Sequence, residues 1–156
     1  MPKTGFDCVF LRNTGTHDDP VWVEMKPVAD VRMPTFEWGK GEIKTRQSRF
    51  KAYLKTMFDL GVEVDYLYKA VRPQWRYMRD AALSHDDLTE FWVADGPPAA
   101  DDTEGPRFYA QVFSLSGNQE LENVNMTTFQ LAPTYAVDED DERIEPDWYQ
   151  PNPVGT

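Results

Sequence analysis

The chain has 156 residues and a formal net charge of −11 at neutral pH, from 27 acidic and 16 basic side chains. That length fits one domain with a real core and is short for two, and the carboxylate surplus argues against binding duplex phosphate through a dominant basic face. Five Trp, seven Tyr and nine Phe in a chain that is 40% hydrophobic mark a folded protein rather than a disordered one.

The charge is divided along the chain. Met1–His85 carries 14 of the 16 basic residues and 11 of the 27 acidic ones, so the remainder is overwhelmingly acidic. A chain basic at one end and acidic at the other is complementary to a copy of itself. Cys8 is the single cysteine, which rules out an internal disulfide framework and a thiolate metal cluster. A buried, inert thiol is expected there, because free Cys packs as a small hydrophobe. The N-terminus lacks a long apolar h-region and no segment approaches the ~20 apolar residues of a membrane span, so a soluble protein made in a cytoplasm is expected.

Phe6–Leu11 reads as an opening strand, followed by turn residues from Asn13 to Pro20. Val21–Met25 and Val28–Met33 read as strands separated by Lys26-Pro27. Pro34–Ser48 changes character: it holds Gly39 and Gly41, the exposed-looking aromatics Phe36 and Trp38, and the bases Lys40, Lys44 and Arg46. Two readings fit, a projecting arm or long hairpin, or two short strands with a turn at Gly39-Lys40-Gly41. Phe50–Leu60 is ambiguous, because Phe50, Tyr53, Leu54, Met57 and Phe58 also fall at the spacing of a short amphipathic helix closed by Gly61. Val62–Tyr68 alternates as a strand.

The clearest helix is Pro73–Leu83. Proline suits its first turn, Trp75, Met78 and Ala82 form an apolar stripe, and Arg72, Arg76 and Arg79 form a basic one. Leu88–Ala94 reads as a central strand buried on both faces. Asp95–Gly105 reads as a turn or flexible loop. Phe108–Leu115 and Leu121–Leu131 close the series around Ser116-Gly117-Asn118, and a change of apolar phase between Val124-Met126 and Phe129-Leu131 predicts a bulge or bend. The expected organisation is a domain over 1–134 and an acidic, Pro-rich tail over 135–156 that is solvated and mobile. Trp148 and Tyr149 are the tail's docking candidates, since paired aromatics in such a tail often order on a partner.

Signals of chemistry are weak. Gly39–Thr45 superficially resembles a phosphate loop but lacks the required Gly-x4-Gly-Lys-Ser/Thr spacing. His17 and His85 have no second ligand at a fixed helical offset, and Asp138–Glu142 lacks the spacing of a calcium loop. Asp86-Asp87 and Asp101-Asp102 sit in turns, with no pocket to separate their pKa values. No nucleophile elbow or Cys/His pairing is present. Neither catalytic residues nor a cofactor nor a metal is expected.

One family fits the order of these elements. Glu42–Ser48, Phe50–Lys55 and Phe58–Asp65, followed by the helix at Pro73–Leu83, the Leu88–Ala94 strand, the Asp95-Gly96 turn, Gly105–Val112 and Glu122–Leu131, resemble the major tail tube proteins of tailed bacteriophages. The similarity spans roughly Val21–Leu131 and extends to the type VI secretion tube protein. It is a pattern of elements rather than a signature motif, and the chain lacks the glycine common around Phe50 in that family.

The resemblance implies a mainly β, α+β domain: a two-sheet β-sandwich or barrel-like body with one flanking helix and a projecting arm. It implies a virion structural protein of a phage or prophage, whose copies close into hexameric rings that stack head-to-tail and meet other tail proteins. DNA passes through the channel without specific binding, and no membrane is involved. On that reading Phe36, Trp38, Lys40, Lys44 and Arg46 form an inter-subunit arm, and Asp95, Asp101, Asp102 and Glu104 a complementary acidic patch. Glu63, Asp65, Glu120 and Glu122 are candidates to face the lumen, where carboxylates repel phosphate and let DNA slide. The competing readings are a monomeric acidic β-domain that captures a protein partner through Trp148 and Tyr149, and an enzyme with an unrecognised site.

Overall fold

The computed structural model describes residues 8–26, 28–44, 46, 51–67, 73–118 and 125–152. In chain order these form β1 (Val9–Asn13), β2 (Trp22–Glu24), β3 (Val28–Ile43), β4 (Ala52–Leu67), α1 (Pro73–Leu83), β5 (Thr89–Ala94), β6 (Gly105–Asn118), β7 (Met126–Thr134), β8 (Ala136–Val137), β9 (Arg143–Ile144) and β10 (Asp147–Tyr149). Among the described residues the fold is mainly β with one flanking helix, in the expected α+β class. An eight-stranded antiparallel sheet runs β2-β1-β5-β6-β7-β4-β3 with β10 added to β6, and β8 and β9 pair separately.

The sheet is covered on both faces at its centre, where every residue of β5 is buried, including the polar Thr89 and Glu90. Phe91 and Val93 point to the main core, where they meet Phe10, Val64, Tyr66, Phe108, Phe129 and the α1 residues Trp75, Met78 and Ala81. Leu11, Trp92 and Ala94 point the other way, into a smaller cluster with Trp22 and Tyr149. The period of two in β-structure sends alternate side chains to opposite faces, which is why one strand feeds two clusters. Helix α1 spans the predicted range and ends with Ser84 N–H donating to the Asp80 carbonyl at 3.0 Å. Its buried stripe is Trp75, Met78 and Ala81, with Ala82 at the margin.

Phe50 lies outside the described residues, and from Ala52 to Leu60 the segment is not helix but the first half of β4, paired antiparallel with β3 from Ile43↔Ala52 to Phe36↔Leu60. Its apolar residues suit 3.6 and 2.0 periods alike, and β3 decides the matter by supplying a hydrogen-bonded ladder. Gly61 closes no helix but sits inside β4 opposite Thr35. Gly39 and Gly41 likewise lie inside β3, so the turn expected at Gly39-Lys40-Gly41 is not there. The long-hairpin reading describes this segment. β7 leaves β4 at Val62↔Leu131, so Ala52–Gly61 and Thr35–Ile43 continue as a two-stranded ribbon beyond the sheet. Nine residue steps give it a length of ~30 Å.

The irregularity predicted near the last strand pair lies on β6 rather than β7. The register shifts between Val112↔Leu131 and Ser114↔Gln130, and Phe113, the extra residue, is 67% exposed. Leu121, Val124 and the tip of this hairpin lie outside the described residues.

Two further expectations change, those for Cys8 and for the tail, and the Asp95–Gly105 segment takes the turn form of its two readings. Cys8 precedes β1 and is exposed rather than buried. The Asp95–Gly105 segment is tied down: the Glu104 amide donates to the Asp95 carboxylate at 2.9 Å, the Asp95 amide donates to the Glu104 carbonyl at 3.0 Å, and Thr103 is buried. The tail is not a solvated extension over its whole length. Asp138 accepts the amides of Asp140 and Glu142 through its carboxylate, closing the β8–β9 hairpin, with Asp141 at a φ of 60°. The chain then returns to pair Asp147↔Arg107 and Tyr149↔Gly105. β5 already holds the other edge of β6 at Arg107, so β10 extends the edge that β7 vacates after Thr134.

Candidate functional site

The ribbon carries Phe36, Trp38 and Lys40 of the arm residues, and Lys44 and Arg46 lie just beyond the end of β3. Phe36, Trp38, Lys40, Lys44 and Arg46 are all exposed. With only two strands and no sheet beneath, the distal ribbon cannot bury either face, and Ile43, Tyr53 and Leu54 are exposed there beside Lys44, Arg46 and Lys51. Lys55 lies over the Trp38 ring, 5.3 Å from its centroid, within the range of a cation–π contact.

At the root of the ribbon the fold brings together two sets of residues that are distant in sequence. Phe36 and Trp38 face Tyr135, Pro146 and Trp148 across an open groove of about 790 Å³. The Phe36 and Trp148 rings lie 6.4 Å apart. Asp59, Glu145 and Asp147 supply the groove's charge, all exposed and all negative. The sequence singled out Phe36, Trp38 and Trp148 but had no signal that they share one wall-to-wall site, since the β10 return that joins them is a tertiary event. Tyr149 points elsewhere: its ring packs 5.2 Å from Trp92 and 6.0 Å from Trp22, with the Arg107 guanidinium 4.6 Å above it.

The outer face of β4, β7 and β6 is polar. Thr128 Oγ1 donates to the Asp65 carboxylate at 2.5 Å and Gln130 Nε2 to that of Glu63 at 3.2 Å, while Ser114 donates to Gln130 at 3.0 Å. Glu63 and Asp65 therefore sit on one face with hydroxyls and amides, opposite the buried Val62, Val64 and Tyr66. Glu120 and Glu122 lie outside the described residues. In the acidic loop Asp101 and Asp102 are exposed, whereas Asp95 and Glu104 are half-buried and joined to one another.

Sequence reasoning missed a buried polar hub beside Tyr149. Glu90 accepts from Arg107 at 2.6 Å and from Asn13 at 2.8 Å, and its second oxygen lies 2.5 Å from His17 Nδ1. Arg107 also donates to the His17 carbonyl at 2.5 Å. Burial, then the Glu90 carboxylate, push the neighbouring Tyr109 hydroxyl above its ordinary pKa. A signal was present in the sequence: Arg107 is one of two basic residues after His85, and it stands immediately before the predicted Phe108–Leu115 strand. Among the described residues no group of three or more His, Cys, Asp or Glu side chains could hold a metal ion, and no helix is long and apolar enough to cross a membrane.

Neither a family model nor a curated sequence relative matches the chain. Solved structures do. A protein of the SPP1 tail tube superposes with a TM-score of 0.65 at 16% identity, covering 85% of this chain and 76% of its own. A chain of the native gene transfer agent virion gives a TM-score of 0.64 at 11% identity, covering 86% of this chain and 96% of its own. A chain from the tail of the empty gene transfer agent particle, a structure with C6 symmetry, gives the same values. The chain shares its fold with the SPP1 tail tube protein and with these chains of the gene transfer agent particle.

Proposed function

We propose that this protein is a self-assembling subunit of a phage or prophage tail tube, forming hexameric rings that stack around a DNA-conducting channel. The fold shared with the SPP1 tail tube protein is the observation that carries this reading. The C6 symmetry of the gene transfer agent tail supports six copies per ring, and these neighbours are structural tail components rather than enzymes. The ribbon supplies what a stacking contact requires, an exposed apolar and basic element standing clear of the body. The Glu63–Asp65 face supplies a channel lining: carboxylates repel phosphate, so DNA slides past without being held. The place of action is then the virion tail, after synthesis in the host cytoplasm. The alternative, a monomeric domain that captures a partner through Trp148 and Tyr149, has less support because Tyr149 is packed against Trp22 and Trp92 of its own chain.

Negative-stain electron microscopy of the concentrated protein at several salt levels tests this. Rings or tubes with a central channel are the expected result; monomers at every condition, even when seeded with a tail-tip initiator, would overturn it. Shortening the ribbon by joining Trp38 to Phe58, which are paired in register, through an Asn-Gly turn should abolish stacking while leaving a folded monomer.

A further inference from the structure

The groove and the ribbon tip are complementary in charge and alike in being apolar. Tyr135 and Trp148 are each 52% exposed in the groove, next to the carboxylates of Asp59, Glu145 and Asp147. Among the described residues the charged side chains lining the groove are all acidic, while Arg143 and Lys55 lie over the Tyr135 and Trp38 rings at its margin, 4.8 and 5.3 Å from the ring centroids. The tip reverses the sign and keeps the apolar component: Ile43, Tyr53 and Leu54 are exposed among Lys44, Arg46 and Lys51. The tip of the same chain cannot reach its own groove. Trp38 lines the groove, and the ladder carries Ile43 five residues, or ~17 Å, farther along the ribbon.

We propose that the groove receives the ribbon tip of a second copy of this chain, with Ile43 and Leu54, which share one ribbon face through the Ile43↔Ala52 pair, seated among Phe36, Trp38, Tyr135 and Trp148 and with Lys44, Arg46 and Lys51 facing Asp59, Glu145 and Asp147. This rests on the self-assembly reading and names the two surfaces that meet. Each copy then offers one tip and one groove, so the contact is heterologous: it propagates from copy to copy rather than closing as a twofold dimer. Charge sets the approach and the register, while the aromatic walls supply the buried area. The groove is a better receptor than the Asp95–Glu104 loop, where Asp95 and Glu104 already serve loop closure and no aromatic side chain is present.

The test uses two full-length double variants at exposed positions, Lys44→Glu with Lys51→Glu on the tip, and Glu145→Lys with Asp147→Lys in the groove. Thermal unfolding confirms that each is folded. Sedimentation velocity and electron microscopy then read assembly against concentration. Each variant alone should need at least about tenfold more protein to assemble than wild type, because like charges now meet. An equimolar mixture should assemble near the wild-type concentration, because the acidic tips meet the basic grooves and the remaining tips and grooves keep their native signs. Wild-type-like assembly of the groove variant, or no rescue on mixing, would overturn the pairing. Asp101→Lys with Asp102→Lys is the control: if it blocks assembly and the tip variant rescues it, the loop is the receptor instead. Wild-type tubes with an indifferent groove variant would sink the groove assignment alone, whereas monomeric wild type under every condition would sink the tube reading with it.

Discussion

Arg107 on β6 and Glu90 on β5 form an ion pair at 2.6 Å with side chains only 7% and 2% exposed. They are diagonal neighbours, since Arg107 pairs with Trp92 and Glu90 with Tyr109 across the ladder. Glu90 is satisfied from three sides, and Arg107 also lies 5.3 Å from the Trp22 ring and 4.6 Å from the Tyr149 ring. A buried pair of this kind is costly to break rather than generous when intact. It joins β5, β6, the His17 turn and β10 at one point.

Arg107→Met should therefore destabilise the protein by about 3–5 kcal/mol, since it leaves the Glu90 charge buried and uncompensated. Glu90→Gln combined with Arg107→Met should recover part of that loss. Urea unfolding of the two single variants and the double variant measures the coupling. Independent, additive effects would show that the pair is not the joint described above.

Tyr149→Ala should cost about 2 kcal/mol, the loss of a half-buried aromatic side chain that packs on two tryptophans. β10 should then leave the edge of β6. Tryptophan fluorescence reports it, because Trp22 and Trp92 both touch the Tyr149 ring, and hydrogen exchange at Gly105 and Arg107 should speed up. A mutant with unchanged spectrum and exchange would mean that β10 is held by its backbone alone.

Gly105→Ala should destabilise by at least about 2 kcal/mol. A Cβ built there lies 1.8 Å from the Val93 carbonyl oxygen, a backbone atom that cannot swing aside. Gly61→Ala is the control, with nothing within 4 Å of its added methyl, and should be close to neutral. Thermal unfolding distinguishes them.

The Tyr66 hydroxyl is buried, has no hydrogen-bond partner among the described residues, and is pushed far above its ordinary pKa by desolvation, with Arg12 opposing. Below pH 10 the phenol is protonated in both folded and unfolded chains and contributes no pH dependence. Above pH 10 the unfolded chain loses this proton while the folded one keeps it, so stability falls by about 1.4 kcal/mol per pH unit from this residue. Tyr66→Phe should remove that alkaline loss and leave stability at neutral pH equal or slightly higher. Unfolding measured at pH 8 and at pH 11 for both proteins checks the sign.

Legibility in the sequence followed from how many constraints each segment carried. Pro73–Leu83 was legible because a starting proline, a 3–4 spaced stripe and a polar stop agree. β5 was legible because Phe91, Trp92 and Val93 leave neither face polar, and its place between β1 and β6 follows. Phe50–Leu60 was not, since a ribbon without a buried face shows no clean alternation for the eye to find. Cys8 was misjudged because its type favours burial while its position, just before β1, leaves it uncovered. Among the described residues of the candidate surfaces, Phe36, Trp38, Glu63, Asp65 and Trp148 could be named singly. Their partners could not: Trp148 meets Phe36 only because β10 returns to β6, 112 positions later in the chain than the arm aromatic it faces.

Local pattern read most segments as strands and Pro73–Leu83 as the clearest helix, and composition gave the charge division, because each depends only on the residues themselves and their neighbours within a turn or a strand. The tertiary structure decided the rest. It set the length of the ribbon by parting β7 from β4 at Val62, it gathered Phe36, Trp38, Tyr135 and Trp148 into one acidic groove, and it buried Glu90 against Arg107. Those outcomes depend on which strands share an edge, and strand pairing is settled by the burial of faces across the whole sheet rather than by any one segment.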